Sequence, residues 1–152
     1  MKYYFTPDRS VIIISAICII ILGYMIYYIF NARIWYSAIP TSLAVLLFIF
    51  FACKTPYCII VEEDNIKVKQ LIGSMRITDI QSIEPIVESD LKETIRTFGN
   101  GGFLGYTGRY YSPKLGRFKM AAINTKELAK ITTMNGNIYI INFPKKLFNN
   151  KC

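Results

Sequence analysis

The chain has 152 residues, 53% of them hydrophobic, and its 18 Lys and Arg against 10 Asp and Glu give a net charge of +8. It contains no histidine, which removes imidazole metal ligands and the Ser-His and Cys-His pairs of nucleophilic catalysis. The basic excess is uneven: residues 54–152 hold 15 basic and 9 acidic side chains, whereas residues 1–53 hold 3 and 1.

Residues 11–30 carry no charge, and after a four-residue link a second uncharged run covers residues 35–53. A membrane-crossing helix needs about 20 mostly apolar residues to span a hydrocarbon core of about 30 Å. The two runs are therefore expected as a transmembrane helical hairpin, with residues 1–54 forming one unit and residues 55–152 a separate domain. A cleaved signal sequence fits poorly. Its apolar stretch is about 7–15 residues long and ends in small side chains, whereas this run ends in Tyr27-Tyr28-Ile29-Phe30. Lys2, Arg9, Lys54, Lys67 and Lys69 flank the open ends of the hairpin, and Arg33 alone occupies the link, so the positive-inside rule puts both termini in the cytoplasm. Tyr3, Tyr4 and Phe5 on that side, with Tyr24, Tyr27, Tyr28, Trp35 and Tyr36 on the other, stand where interfacial aromatic belts form. Neither run contains Asp, Glu, Lys or Arg, so an ion or proton path would have no charged stepping stone.

Beyond Lys54 the pattern changes to short segments of period two. Residues 57–61 are apolar and β-branched, and residues 62–65 read as a turn. Ile66, Val68 and Ile72 alternate with Lys67, Lys69 and Leu71 as a strand with one wet face. Gly73-Ser74 turns the chain into a strand at residues 75–77, residues 78–80 suggest one helical turn, and residues 82–87 another strand. Residues 88–115 read as irregular. Order resumes with a strand over 117–123. Two further apolar runs, 128–133 and 138–142, are separated by Asn135-Gly136, the strongest short hairpin signal because both residues tolerate the positive φ of a type I′ turn. Proline in the first turn of residues 144–148 marks a short closing helix. About seven short strands and a terminal helix predict a small antiparallel barrel or pair of packed sheets.

The glycines at Gly99, Gly101, Gly102, Gly105 and Gly108 invite a phosphate-loop reading that fails on register: a dinucleotide fingerprint from Gly99 needs glycine where Leu104 stands, and no Gly-Lys-Ser/Thr ending follows. They are read as structural, at bulges or close backbone approaches. Basic and aromatic side chains interleave around them, and Phe103, Tyr106, Arg109, Tyr110, Arg117 and Lys119 are the candidate contacts for a protein partner. Such a mixture also suits nucleic acid, a reading that a membrane tether disfavours. The four cysteines, at 18, 53, 58 and 152, lack zinc-ligand spacing, and scattered carboxylates read as solvated surface. No catalytic, cofactor or metal site emerges.

The segment Thr97-Phe98-Gly99-Asn100-Gly101-Gly102-Phe103-Leu104-Gly105-Tyr106-Thr107-Gly108, followed by Leu115-Gly116-Arg117-Phe118 and the hairpin over 127–142, resembles the bacterial pleckstrin-homology-like (PH-like) domain family across residues 56–148. The resemblance implies a mainly β, PH-like split barrel of seven strands capped by a C-terminal helix, in a family whose members often carry one or two N-terminal transmembrane helices. It also implies a bacterial cytoplasmic-membrane location, no cofactor and no shared catalytic residues. The basic first hairpin of lipid-binding eukaryotic relatives is matched only by Lys67, Lys69 and Arg76. Two readings of function follow. In the first, a non-enzymatic, membrane-anchored module binds a protein partner, a second copy of the chain included. In the second, Lys67, Lys69, Arg76, Arg109, Arg117 and Lys119 bind anionic lipid directly. A membrane-bound enzyme would need its acid-base groups from elsewhere.

Overall fold

The computed structural model describes residues 1–31, 35–62, 65–144 and 147. Two helices stand beside a β body. Helix α1 (Arg9–Asn31) and helix α2 (Trp35–Cys53) pack against each other, and the link between them lies outside the described residues. Along α1 only Val11 and Ser15 are buried, while isoleucines on every other side are exposed. The helix is therefore apolar all round rather than amphipathic. By length and composition α1 is fit to cross a membrane, whereas Ala38–Cys53 of α2 forms a shorter apolar helix.

The strands form two sheets. The first has four strands in the order β1 (Lys2–Tyr4), β2 (Pro56–Val61), β3 (Ile66–Gln70) and β4 (Ser74–Ile77), all antiparallel. The second contains β5 (Ile80–Ile86), β6 (Ile95–Gly101), β7 (Tyr106–Ser112), β8 (Gly116–Ala122), β9 (Leu128–Thr133) and β10 (Ile138–Asn142). Its order is β5-β9-β10-β8-β7-β6, and the β8–β10 pair is parallel. The expected barrel of about seven antiparallel strands is thus corrected: the described residues form ten strands in two sheets, with one parallel pair and no closed barrel among them.

Alternation fills the space between the sheets. Ile59, Ile66, Val68 and Ile77 of the first sheet meet Ala121, Ala129, Ile131 and Ile141 of the second. The far face of the second sheet carries its own cluster, with Tyr110 stacked on Phe118 at 5.8 Å between ring centroids. Leu91, from the 3-10 turn Glu88–Leu91, helps to cover it.

Four local expectations change. Residues 88–115, read as irregular, contain the β6–β7 hairpin. Its signal is hidden because a bulge between Arg96 and Phe98 breaks the alternation. In place of a helical turn at residues 78–80, Asp79 adopts φ 54° and β5 begins at Ile80. The Asn135-Gly136 hairpin is present, but only Gly136 has positive φ (73°). Thr133 closes a three-residue loop by donating to the Asn137 carbonyl at 3.0 Å, the longer geometry that favours glycine last. Of the short C-terminal helix expected over 144–148, residues 145, 146 and 148 lie outside the described residues. Among the described ones there is no C-terminal helix, and the Leu147 N–H donates to the Pro144 carbonyl at 3.0 Å.

The strand ahead of α1 was not foreseen. Tyr3 and Phe5, expected in an interfacial belt, instead pack against the core between the sheets, while Tyr3 pairs with Ile59.

Candidate functional site

The glycine segment is where the β body meets the helices. Gly99 and Gly108 face each other across β6 and β7, both at φ 133°. A Cβ on Gly99 would lie 2.2 Å from the Thr107 carbonyl oxygen, and one on Gly108 would lie 2.2 Å from that of Phe98. Only a pair lacking side chains permits this approach. At the hairpin tip, Asn100 clamps the backbone of Phe103: the Phe103 N–H donates to Asn100 Oδ1 at 3.1 Å, and Asn100 Nδ2 donates back to the Phe103 carbonyl. Tyr110 fixes the same residue by donating to the Asn100 carbonyl at 2.6 Å, and burial pushes its phenol up to about 12.

This rigid tip docks on the helices. Ser15 Oγ donates to the Val11 carbonyl within α1 at 2.6 Å and accepts the Leu104 N–H at 2.8 Å. Leu104 holds φ 57°, a conformation non-glycine residues adopt only when their surroundings enforce it. The Phe103 ring meets Phe48 of α2 edge-on at 5.4 Å, and a Cβ on Gly102 would strike Ile14 Cδ1 at 2.8 Å. Asp8, at the start of α1, adds a second anchor by accepting from Thr125 N–H at 2.7 Å and Thr125 Oγ1 at 3.1 Å. The end of α2 has a third: its Cys53 carbonyl accepts the Ile72 N–H at 2.9 Å, and the Leu71 N–H donates to Thr55 at 2.9 Å.

Beside the last turn of α2 the two sheets part, leaving an open cleft of about 230 Å³. Phe50, Phe51 and Phe98 wall it, Met75, Met120 and Ala121 back it, and Lys54, Arg109 and Lys119 supply its charge. Among the described residues no carboxylate lines it. Arg109 and Lys119 are direct cross-strand partners, and Lys119 Nζ rests 5.5 Å from the Tyr139 ring centroid.

The expected contact residues are divided by this geometry. Phe103 and Tyr110 are buried, and both serve the tip. Tyr106 is half-buried against the far-face cluster. Arg109 and Lys119 are exposed at the cleft, whereas Arg117 is exposed opposite Tyr111 nearer the β7–β8 turn. Lys67 pairs with Arg76 on the outer face of the first sheet, together with Lys69, since Ile66 and Val68 take the inner positions. The six cations expected to form one basic face thus occupy different faces of two sheets. Ser15, Asp8 and Phe48 escaped the sequence reading, although Ser15 is the sole hydroxyl residue among residues 11–23, and Lys54 entered it only as a flanking charge of the hairpin.

A protein-family model described as "Bacterial PH domain" matches residues 57–147. No curated protein and no solved structure matches the chain.

Proposed function

The chain belongs to the bacterial PH domain family, and on that premise we propose that it is a non-enzymatic, membrane-anchored interaction module. Helices α1 and α2 form a transmembrane hairpin, and residues 55–152 form the PH-like domain held against the cytoplasmic leaflet, where it engages a protein partner. The observation that carries this reading is the joining of both open helix ends to the β body. Asp8 and Ser15 tie the start of α1, and the Cys53 carbonyl ties the end of α2. Helices fixed at one end to the same body leave it on the same side. At about 1.5 Å per residue, the 19 residues of α2 reach about 28 Å, close to the thickness of a hydrocarbon core. Lys2, Arg9 and Lys54 at that end favour the cytoplasmic side.

The protein-contact surface narrows to Arg117 and its cross-strand neighbour Tyr111, exposed on the second sheet away from the tip. Two experiments test the reading. Alkaline carbonate washing of bacterial membranes should leave the full chain in the pellet; its release into the supernatant would refute anchoring. Crosslinking in native membranes should show partner bands that weaken in a Tyr111→Ala, Arg117→Glu variant. An unchanged band pattern would remove this surface from the proposal.

A second reading, direct contact with anionic lipid, draws support from the carboxylate-free cleft beside α2.

A further inference from the structure

We propose that the cleft between the last turn of α2 and the parted sheets is a binding site for an anionic membrane phospholipid, entered sideways from the leaflet. The proposal rests on the membrane-anchored reading above.

Position is the first argument. Phe50 and Phe51 belong to the final turn of an apolar helix, so the wall they form continues the surface that α2 presents to lipid chains. Phe98 is 65% exposed and lies 6.5 Å from Phe51 between ring centroids. With Phe50, 48% exposed, it makes a contiguous apolar patch that an acyl chain running along α2 would cover.

Charge is the second. Arg109 and Lys119 stand directly opposite each other on neighbouring strands, an arrangement that like charges disfavour unless an anion lies between them. Lys54 adds a third cation, and among the described residues the one ion pair, Lys130 with Glu84, lies on other strands. Guanidinium and ammonium groups converging without a carboxylate match a phosphodiester. The outer-face cations Lys67 and Arg76 also oppose each other, but they do not line the cleft, so they serve as the control.

Size is the third. A pocket enclosing a whole drug-sized ligand measures roughly 300–1,000 Å³. A cleft of about 230 Å³ accommodates less, as expected for a headgroup and glycerol region whose chains remain in the bilayer. Gly99 and Gly108, whose strands approach too closely for side chains, also line the cleft.

The test uses the full chain in nanodiscs containing equal amounts of phosphatidylglycerol and phosphatidylcholine, with the retained lipid identified by mass spectrometry after gentle extraction. Wild type should retain phosphatidylglycerol over phosphatidylcholine. An Arg109→Gln, Lys119→Gln variant should lose that preference by about tenfold, while Lys67→Gln, Arg76→Gln keeps it. Equal retention of the two lipids by wild type, or undiminished preference in the Arg109→Gln, Lys119→Gln variant, would overturn the proposal. A second measurement leaves the cations intact: with Trp35→Phe and Phe98→Trp, the single indole should be quenched more by brominated phosphatidylglycerol than by brominated phosphatidylcholine. Equal quenching would overturn it as well. A wild-type chain that fails to enter nanodiscs refutes the anchored reading itself, whereas entry without lipid preference refutes the cleft alone.

Discussion

The space between the two sheets has two ends, and they obey different rules. At one end Ile59, Val68, Ile131 and Ile141 are almost entirely removed from solvent, each at or below 2% exposure. At the other, beside α2, the same inner faces carry Arg109 and Lys119 and the sheets part. The second sheet is hydrogen-bonded without a break from β10 through β8 to β7, so side chains rather than topology decide where the sheets seal. Branched aliphatics interlock and exclude water; cations on the same face cannot be desolvated without a partner, and they hold the mouth open.

The sharpest way to break this comparison is to cut into the sealed end. Ile131→Ala should destabilise the full chain by about 2–5 kcal/mol in thermal unfolding in detergent, whereas Phe98→Ala at the open end should change stability by under about 0.5 kcal/mol. Equal losses would mean that both ends are packed alike. Next in size is the junction with the helices. Ser15→Ala removes the acceptor of the Leu104 N–H and should cost about 1–3 kcal/mol, with faster hydrogen exchange at the Leu104 amide. Slow exchange in that variant would mean that the tip is held without Ser15.

A third test sharpens the contrast through pH. Tyr110 is buried on the far face, and its folded-state phenol lies near 12, above the ordinary value near 10. Folding therefore favours the neutral form. Its stabilisation is complete below pH 10 and is lost as pH rises from about 10 towards 12, because the unfolded chain releases the proton first. Wild type should lose more thermal stability over that interval than Tyr110→Phe; parallel declines would place the phenol in solvent. The smallest effect belongs to the surface. The ammonium of Lys130, 2.9 Å from Glu84, holds that carboxyl below its ordinary range. The pair's contribution is present above the ordinary carboxylate pKa and fades as pH falls through the folded value. Glu84→Gln should cost under about 1 kcal/mol, with the difference shrinking in high salt.

The strands bearing Ile66, Ile77, Ile131 and Ile141 were legible because burying one face imposes period two, and Asn135-Gly136 announced its hairpin through backbone chemistry. The β6–β7 hairpin was not legible. Gly99 and Gly108 contribute no hydrophobic signal, the bulge after Arg96 shifts the phase, and the residues at the tip are apolar for the sake of the helices rather than the sheet. The site was legible in composition but not in arrangement. Arg109 and Lys119 are cross-strand partners, yet nothing in their spacing along the chain separates them from Lys67 and Arg76 on another sheet. Phe103 and Tyr110 looked available because aromatics beside glycines resemble surface contacts; a docked tip uses the same residues internally. The strand ahead of α1 was invisible for a related reason, since three residues are too few to establish a period.

That three-residue strand sets an order of events during synthesis. Lys2–Tyr4 leaves the ribosome before either helix, but its partner, Cys58–Ile60, is made only after both. The edge of the first sheet must therefore wait, unzipped, until the polypeptide has gone out along α1 and come back along α2. Closing that edge stitches a segment made ahead of both helices to one translated more than fifty residues later.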